Sequence, residues 1–488
     1  MTTSPGAMTT LRRIVGLLVC VELVSGVLQG YYTPIYSDIA HHLSIHDADV
    51  NWFEAAQLVV SAIAVPVLAR MGDLVGHRRI LLVTSALTAL ASWAVAFAPT
   101  FSTFLVAWAL QGFYVVWLPM EVSIIHGRTA ASGAQSRLTR KAAATLVAAL
   151  ESGVIVGALV SGAIVGTTGI TVVLMIPALA VTGCFAVVWF GIRDTAPTST
   201  GRLDLRGVGF VVVIIALVMA GLILIRLHGV GSILAWLLII TGVLALVPFG
   251  RIELAVDEPL IDVRLLRDSR QWPVQLTSFL FGMSVLGAQI PLSTFARTDP
   301  DVTGYGLGAS ASFVSVLVGA YVVTMLAGAL LLPYAARRLS PRGSLITACG
   351  LVALGYGMWI AMHGGLGAAV VNMCVIGVGS GALVAALPAA AASAAPPSRT
   401  GFVTGMTNTT KTIGGAIASA IFAIALATTG SLDPDVATSH APLSGYLWTW
   451  TVCAVTALLA AVALLLVPRG SFSDPSEVKD TVVPEAAG

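Results

Sequence analysis

The chain is a succession of apolar runs, each close to twenty residues long, joined by short polar links. A run of that length crosses the roughly 30 Å hydrocarbon layer of a bilayer as a helix. Backbone groups in lipid must be paired inside the segment, and a helix does this without neighbours. We count fourteen such runs: 14–35, 51–70, 80–98, 102–124, 142–165, 170–191, 207–226, 232–250, 273–294, 311–333, 344–362, 366–389, 403–427 and 445–467. The fold class expected is an all-α polytopic membrane protein. Only 10% of residues are charged, against about 25% in a soluble domain. A globule with one anchor is therefore excluded.

The bases set the expected orientation. All of the 25 Lys and Arg except Arg226, Arg297 and Lys411 fall in alternate links or at the termini. Short Arg-rich links stay in the cytoplasm, so both termini are expected there, in the plasma membrane. The start, TLRRIVGLLVC, has the basic-then-apolar form of a signal peptide. Its apolar run continues past Glu22 without a small-residue cleavage site, which predicts an uncleaved first span. The polar tail 471–488 is expected to be disordered and cytoplasmic.

The sharpest link is LARMGDLVGHRRI. Gly76 permits a tight turn because it tolerates positive φ, and Asp73 can accept hydrogen bonds at a helix end. The stretch resembles the link between helices 2 and 3 of the major facilitator superfamily, Gly-x-x-x-Asp-(Arg/Lys)-x-Gly-Arg-(Arg/Lys). Asp73, Gly76, Arg78 and Arg79 carry the match. Ala69, Leu74 and His77 depart from it. A cytoplasmic latch motif is the role this resemblance and its charges suggest. LLPYAARRLSPRG, after span ten, echoes it without the acid, as a structural repeat would.

The spans group as 6+2+6. Expected boundaries are an N-terminal six-helix bundle (1–195), two extra helices with linkers (196–270) and a C-terminal six-helix bundle (271–470). Asp204 and Gly207 open span seven. Glu253, Pro259 and Leu260 close span eight. These segments resemble the fourteen-span drug:proton antiporter branch of the superfamily, as does TGFVTGMTNTTKTIGGAIASAI around Lys411. In span four that family shows Arg-x-x-Gln-Gly. Here Gln111 and Gly112 match, and Trp108 stands in the place of the Arg.

Ionisable residues inside a membrane face a cavity or a partner, because a charge at the bilayer centre costs about 2.5–3.5 kcal/mol on insertion scales. This chain has Glu22, Glu54, Glu121, Glu151 and Lys411. Glu22, Gly26, Gln29 and Thr33 share one helical stripe, as do Glu54, Gln57 and Ser61. Gln111, Tyr114, Trp117 and Glu121 fall within about a third of the circumference of span four. These residues, with Gln289, Asn408 and Lys411, are the substrate-cavity candidates. Glu22 and Glu151 lie about 13 Å from the cytoplasmic edge and are the proton-coupling candidates. A carboxyl that alternates between dry and wet surroundings exchanges a proton in each cycle. The bland readings are a structural hydrogen bond or a pair with Lys411. Gly153, Gly157, Ser161 and Gly162 form a small-residue stripe that lets helices approach closely. It partly resembles the antiporter signature of the superfamily.

Other chemistry finds no support. Cys20, Cys184, Cys349, Cys374 and Cys453 all lie in apolar runs without metal or disulfide spacing. His41, His42, His46, Asp47 and Asp49 lack the spacing of a metal site. No metal, cofactor or nucleic-acid partner is expected, and no nucleotide-binding signature appears. The function expected is secondary active transport: proton-coupled export of amphipathic or hydrophobic small molecules by a monomer, through alternating access. The alternatives are an exporter or uniporter of an endogenous metabolite or envelope lipid, and a transport-inactive membrane sensor.

Overall fold

A computed structural model describes residues 5–129, 135–193, 197, 202–256, 259–395, 399–428 and 440–467. The tail 471–488 and most of the link near 435 lie outside these residues. All regular structure among the described residues is helical. Thirteen helices are long and apolar enough to cross a membrane. One of them, Ala311–Ala361, has 51 residues and is broken at Ser340, whose φ is 70° and ψ 159°. It is two spans with a corner between them, so the chain makes fourteen crossings.

In chain order the spans are α1 (Pro5–Tyr31), α2 (Asn51–Val75), α3 (His77–Ala96), α4 (Phe101–Thr129), α5 (Gln135–Ile164), α6 (Ile170–Gly191), α7 (Leu205–His228) and α8 (Ile233–Glu253). Then come α9 (Trp272–Arg297), α10 (311–339), α11 (341–361), α12 (Leu366–Ser393), α13 (Thr400–Thr428) and α14 (Leu443–Leu465). The first span is longer than expected. A 3-10 turn over Thr33–Ile35 and a short helix over Tyr36–Leu43 prolong it.

The buried apolar side chains form two large clusters. One runs from Ile14 to Ile192, with Ile290 added. The other runs from Val274 to Val467, with Ala48 added. A small third cluster joins Leu222, Ile225 and Ala235 of α7 and α8 to Trp52 and Ala55 of α2 and to Ala420 and Ala423 of α13. The extra pair thus packs beside the seam where α2 meets α13. Its outer side chains, Leu234, Leu237, Ile240 and Val243, are exposed. Lipid is the natural solvent for that face, since a soluble protein rarely leaves so large an apolar patch open.

Glycines let backbones touch at equivalent places in both six-helix sets. A Cβ on Gly26 would overlap the Leu150 carbonyl of α5, and one on Gly153 would overlap the Leu23 carbonyl of α1. In the second set, Gly282 sits against the Lys411 carbonyl and Gly414 against the Phe279 carbonyl. The corners are equivalent too. Gly76 joins α2 to α3 at φ 101°, and Ser340 joins α10 to α11. After each corner an arginine binds the end of the last helix of its own set. Arg78 donates to the Trp189 carbonyl (3.0 Å) and the Ile192 carbonyl near the end of α6. Arg342 donates to the Leu464 carbonyl (2.9 Å) and the Leu465 carbonyl of α14. Unpaired carbonyls and the negative end of the dipole make a helix C-terminus a cation site.

At the end of the bundle opposite these arginines the two sets are joined. Arg297 of α9 pairs with Asp38 at 3.0 Å, and Ser293 donates to the Thr33 carbonyl. Ser312 and Ser315 of α10 donate to the Gly162 and Ala158 carbonyls of α5 at 2.9 and 2.6 Å. Ser315 also reaches the Ala311 carbonyl of its own helix at 3.0 Å.

Candidate functional site

A cavity of about 70 Å³ lies between the two six-helix sets. From the first set, α1 and the short helix after it supply Leu28, Gln29, Tyr32 and Tyr36. Gln29, Tyr32 and Tyr36 sit at offsets of three and seven, one helical face. Glu54, Gln57 and Leu58 of α2 obey the same rule, and α4 adds Trp108, Tyr114 and Val115. The second set supplies Leu286 and Gln289 of α9 and Asn408, Lys411 and Thr412 of α13. No lining residue comes from α7 or α8.

The backbone is irregular at this level. Helix α4 tightens to a 3-10 segment over Gly112–Val116, which holds Tyr114 and Val115. Helix α9 breaks between Val285 and Gln289, beside Leu286. Non-helical backbone at membrane depth is tolerated where it lines a cavity.

The cavity is polar on several sides. Four amide side chains, three tyrosines, one acid and one base meet there. Trp108 packs on Tyr32 with ring centres 4.4 Å apart and lies 6.2 Å from Tyr36. Glu54 is within electrostatic reach of Tyr36 and Tyr114.

Gln29, Glu54, Gln57, Tyr114, Gln289, Asn408 and Lys411, named from sequence, all meet at the cavity. Gln111, Trp117 and Glu121 do not. Gln111 donates to the Tyr32 hydroxyl and to Ser92, both at 3.0 Å, inside the first set. Trp117 is fully buried in that core. Trp108, Tyr32 and Tyr36 line the cavity without having been expected there from sequence. Tyr32 and Tyr36 extend the Gln29 stripe and were visible in that signal.

The remaining acids form two neighbourhoods. Glu22 and Glu121 are fully buried; among the described residues the Glu121 carboxyl has no hydrogen-bond partner, and the Ser25 side chain lies beside Glu22. They are within electrostatic reach of each other, and Tyr114 senses both Glu22 and Glu54. Glu151 is half-buried on α5 and faces Lys411 across the two sets. Glu22 and Glu151, grouped by their depth in the sequence, thus have different charged neighbours, Glu121 and Lys411.

The small stripe of α5 divides its contacts. Gly153 and Gly157 receive α1. The Ser161 hydroxyl returns to the Ala158 carbonyl at 3.1 Å. Gly162 meets Ser315 and Ala311 of α10.

In the arginine-rich corner, Asp73 lies 3.2 Å from His77, one turn on, and Arg79 is exposed. Asp204 accepts from the Arg206 and Gly207 amides at 3.1 and 3.0 Å and caps α7. Glu253 accepts from the Ile261 amide at 2.9 Å. A Cβ on Gly207 would run into both carboxylates. Asp204, Gly207 and Glu253, three of the residues that carry the fourteen-span resemblance, therefore form one cluster.

At the opposite end His440 lies 3.1 Å from Asp47, and His46 contacts the His440 carbonyl at 3.0 Å. The hydrogen bond to Asp47 holds His440 above its ordinary range. Burial pushes His46 down, against the pull of Asp47 and Asp49.

Residues 18–419 and 274–486 match the family model of the Major Facilitator Superfamily. No curated protein matches the chain. Among solved structures, an auto-inhibited peptide transporter of the POT family is 14% identical, with a TM-score of 0.67, covering 96% of this chain and 100% of its own. The nucleoside transporter NupG is 12% identical, with a TM-score of 0.64, covering 94% of this chain and 99% of its own. A NupG variant is 11% identical, with a TM-score of 0.65, covering 93% and 99%. At such identities the likeness is one of fold.

Proposed function

The chain belongs to the major facilitator superfamily and is a transporter of small molecules, and from that premise we propose that it couples proton entry to the export of an amphipathic compound. The observation that carries this reading is the cavity between the two six-helix sets, with polar walls from both. Residues 1–195 and 271–470 act as the two moving bundles, 196–270 as a lateral pair, and 471–488 as a tail. The arginine-rich end faces the cytoplasm of a plasma-membrane protein that works as a monomer. The Asp204, Gly207 and Glu253 cluster supports a place in the fourteen-span drug:proton antiporter branch.

Coupling rests on Glu22, with Glu121 beside it and Tyr114 between it and Glu54 in the cavity. Glu151 is the second coupling candidate, through Lys411. Rocking of the bundles changes which of these carboxyls meets water, and so moves a proton in each cycle. One charge crossing 100 mV is worth about 2.3 kcal/mol, enough to bias the cycle. The Asp73 corner serves as a latch between the cytoplasmic faces.

A second reading has its own support. The abundance of amides and hydroxyls in the cavity suits a polar endogenous metabolite, carried outward or by uniport. Flux in proteoliposomes with and without an imposed pH gradient separates the two. Uphill accumulation that collapses with the gradient supports coupled export. Flux indifferent to the gradient overturns it in favour of uniport.

A further inference from the structure

The cavity holds an acid and a base that do not pair with each other. Glu54 is on α2 and Lys411 on α13, and both line the same space. No ion pair joins them among the described residues, and the charge that Lys411 senses is that of Glu151. Geometry explains the separation. A Cβ on Gly415 would touch the end of the Leu58 side chain, which places the two residues within a side chain's reach of each other. The helices run in opposite directions. Glu54 lies one turn from Leu58 toward one end, and Lys411 one turn from Gly415 toward the other. At 1.5 Å per residue, and allowing for the reach of the Leu58 side chain, the two backbones are offset by on the order of 10 Å along the axis.

Each pole has distinct surroundings. Glu54 stands beside Tyr36 and Tyr114, with Trp108 packed on Tyr32 and facing Tyr36. A carboxylate walled by electron-rich rings is a cation site, since an ammonium gains both the charge and the ring faces. Lys411 stands with Asn408 and Thr412, and its backbone is fixed against Gly282 of α9. An ammonium flanked by an amide and a hydroxyl suits an oxyanion. A ligand with only an oxyanion would leave Glu54 unmatched in this partly desolvated space, and one with only an ammonium would leave Lys411 to Glu151 alone.

We propose that the cavity takes a dipolar small molecule, with an organic ammonium seated against Glu54 among the aromatic rings and an oxyanion seated against Lys411. The proposal rests on the transport reading and narrows its substrate class. The bound oxyanion competes with Glu151 for Lys411, so occupancy of the cavity is felt at that acid.

The test is binding of a defined probe series to the purified full chain, with no gradient present. The parent probe is a benzene ring bearing para aminoalkyl and carboxyalkyl arms. Its N-acetyl derivative and its methyl ester each remove one charge. The parent should bind at least tenfold more tightly than either derivative. Glu54→Gln should abolish the preference over the N-acetyl form, and Lys411→Gln the preference over the ester. Glu54→Asp and Lys411→Arg should retain both. Derivatives that bind as well as the parent, absence of binding by the whole series, or preferences that survive both neutral variants overturn the proposal. If the neutral variants do not fold, the series on the unaltered chain decides. Selective binding without flux of any compound would overturn the transport reading and leave this proposal standing. Flux of other compounds without the selectivity would do the reverse.

Discussion

Gly26 and Gly153 bring α1 against α5, and Gly282 and Gly414 bring α9 against α13, by the same backbone contact. What fills the two frames differs. The first set holds every glutamate in the spans of the two bundles, and among the described residues Glu121 has no hydrogen-bond partner. The second set holds none, and its only ion in mid-span is Lys411. Its largest side chains instead close into an aromatic group around Phe295, whose ring lies 4.9 Å from Trp450 and 5.2 Å from Tyr446. Trp359 lies 5.2 Å from Trp450. The first set has an aromatic group as well, but Trp108 and Tyr32 in it open on the cavity. One frame thus carries the carboxyls, and the other carries a single lysine and a packed aromatic group.

The strongest test of the shared frame is to fill its contacts. Gly26→Leu and Gly282→Leu each drive a side chain into a facing carbonyl, beyond the ~1–3 kcal/mol of ordinary overpacking. Both should abolish the monodisperse peak in size exclusion. Survival of either variant would break the equivalence.

The next test separates the fillings. Glu22→Gln keeps the shape of the side chain and fixes its neutral state. It should reduce gradient-driven accumulation at least tenfold while leaving downhill exchange. Trp450→Phe opens space in the second set, and should cost about 1–3 kcal/mol of stability with pH dependence of flux unchanged. If the Trp450 variant alters coupling and the Glu22 variant does not, the division between the halves is wrong. Coupling would then be sought at Glu54 and Glu121.

A smaller effect is expected at the corners. Asp73→Asn should lower flux severalfold without changing insertion, because the orienting bases remain. Arg342→Gln, at the second corner, removes a helix-end contact worth about 0.3–1 kcal/mol, and should lower the melting temperature more than the flux. Equal flux losses at both corners would mean that Asp73 has no role beyond anchoring.

The smallest effect is at the joined end. The bond to Asp47 holds His440 above the ordinary histidine range. Its contribution is therefore complete below the unfolded value and is lost as pH rises through the folded one. Raising the pH on that side should favour separation of the halves there, by about 0.2–1 kcal/mol for a pair open to water only on its histidine side. Spin-label distances across this end should show the shift, and His440→Gln should remove its pH dependence.

The crossings were legible because apolar length is a strong signal, and the corner at Ser340 was visible in LLPYAARRLSPRG although the hydrogen-bonded helix runs through it. Most of the cavity was legible as polar stripes. Span four was the exception, for a geometric reason. Five residues, Gly112–Val116, turn as 3-10 helix. At about 120° per residue rather than 100°, they rotate the next helical segment, from Trp117 on, by roughly 100°. Grouping Gln111, Tyr114, Trp117 and Glu121 on one face assumed an unbroken α-helix. The partners of the acids were not legible either, since nothing in the local sequence says that Glu22 meets Glu121.

Ser315 holds one proton between two acceptors, the Ala158 carbonyl across the seam and the Ala311 carbonyl behind it. Were α10 to leave α5, that hydroxyl would not lose its bond but would turn to the one already in reach. The seam can therefore unzip at this residue for little more than a bond rotation, and close again without waiting for water. Under the proposed rocking of the bundles, a fastening made this way would resist drift without resisting the movement.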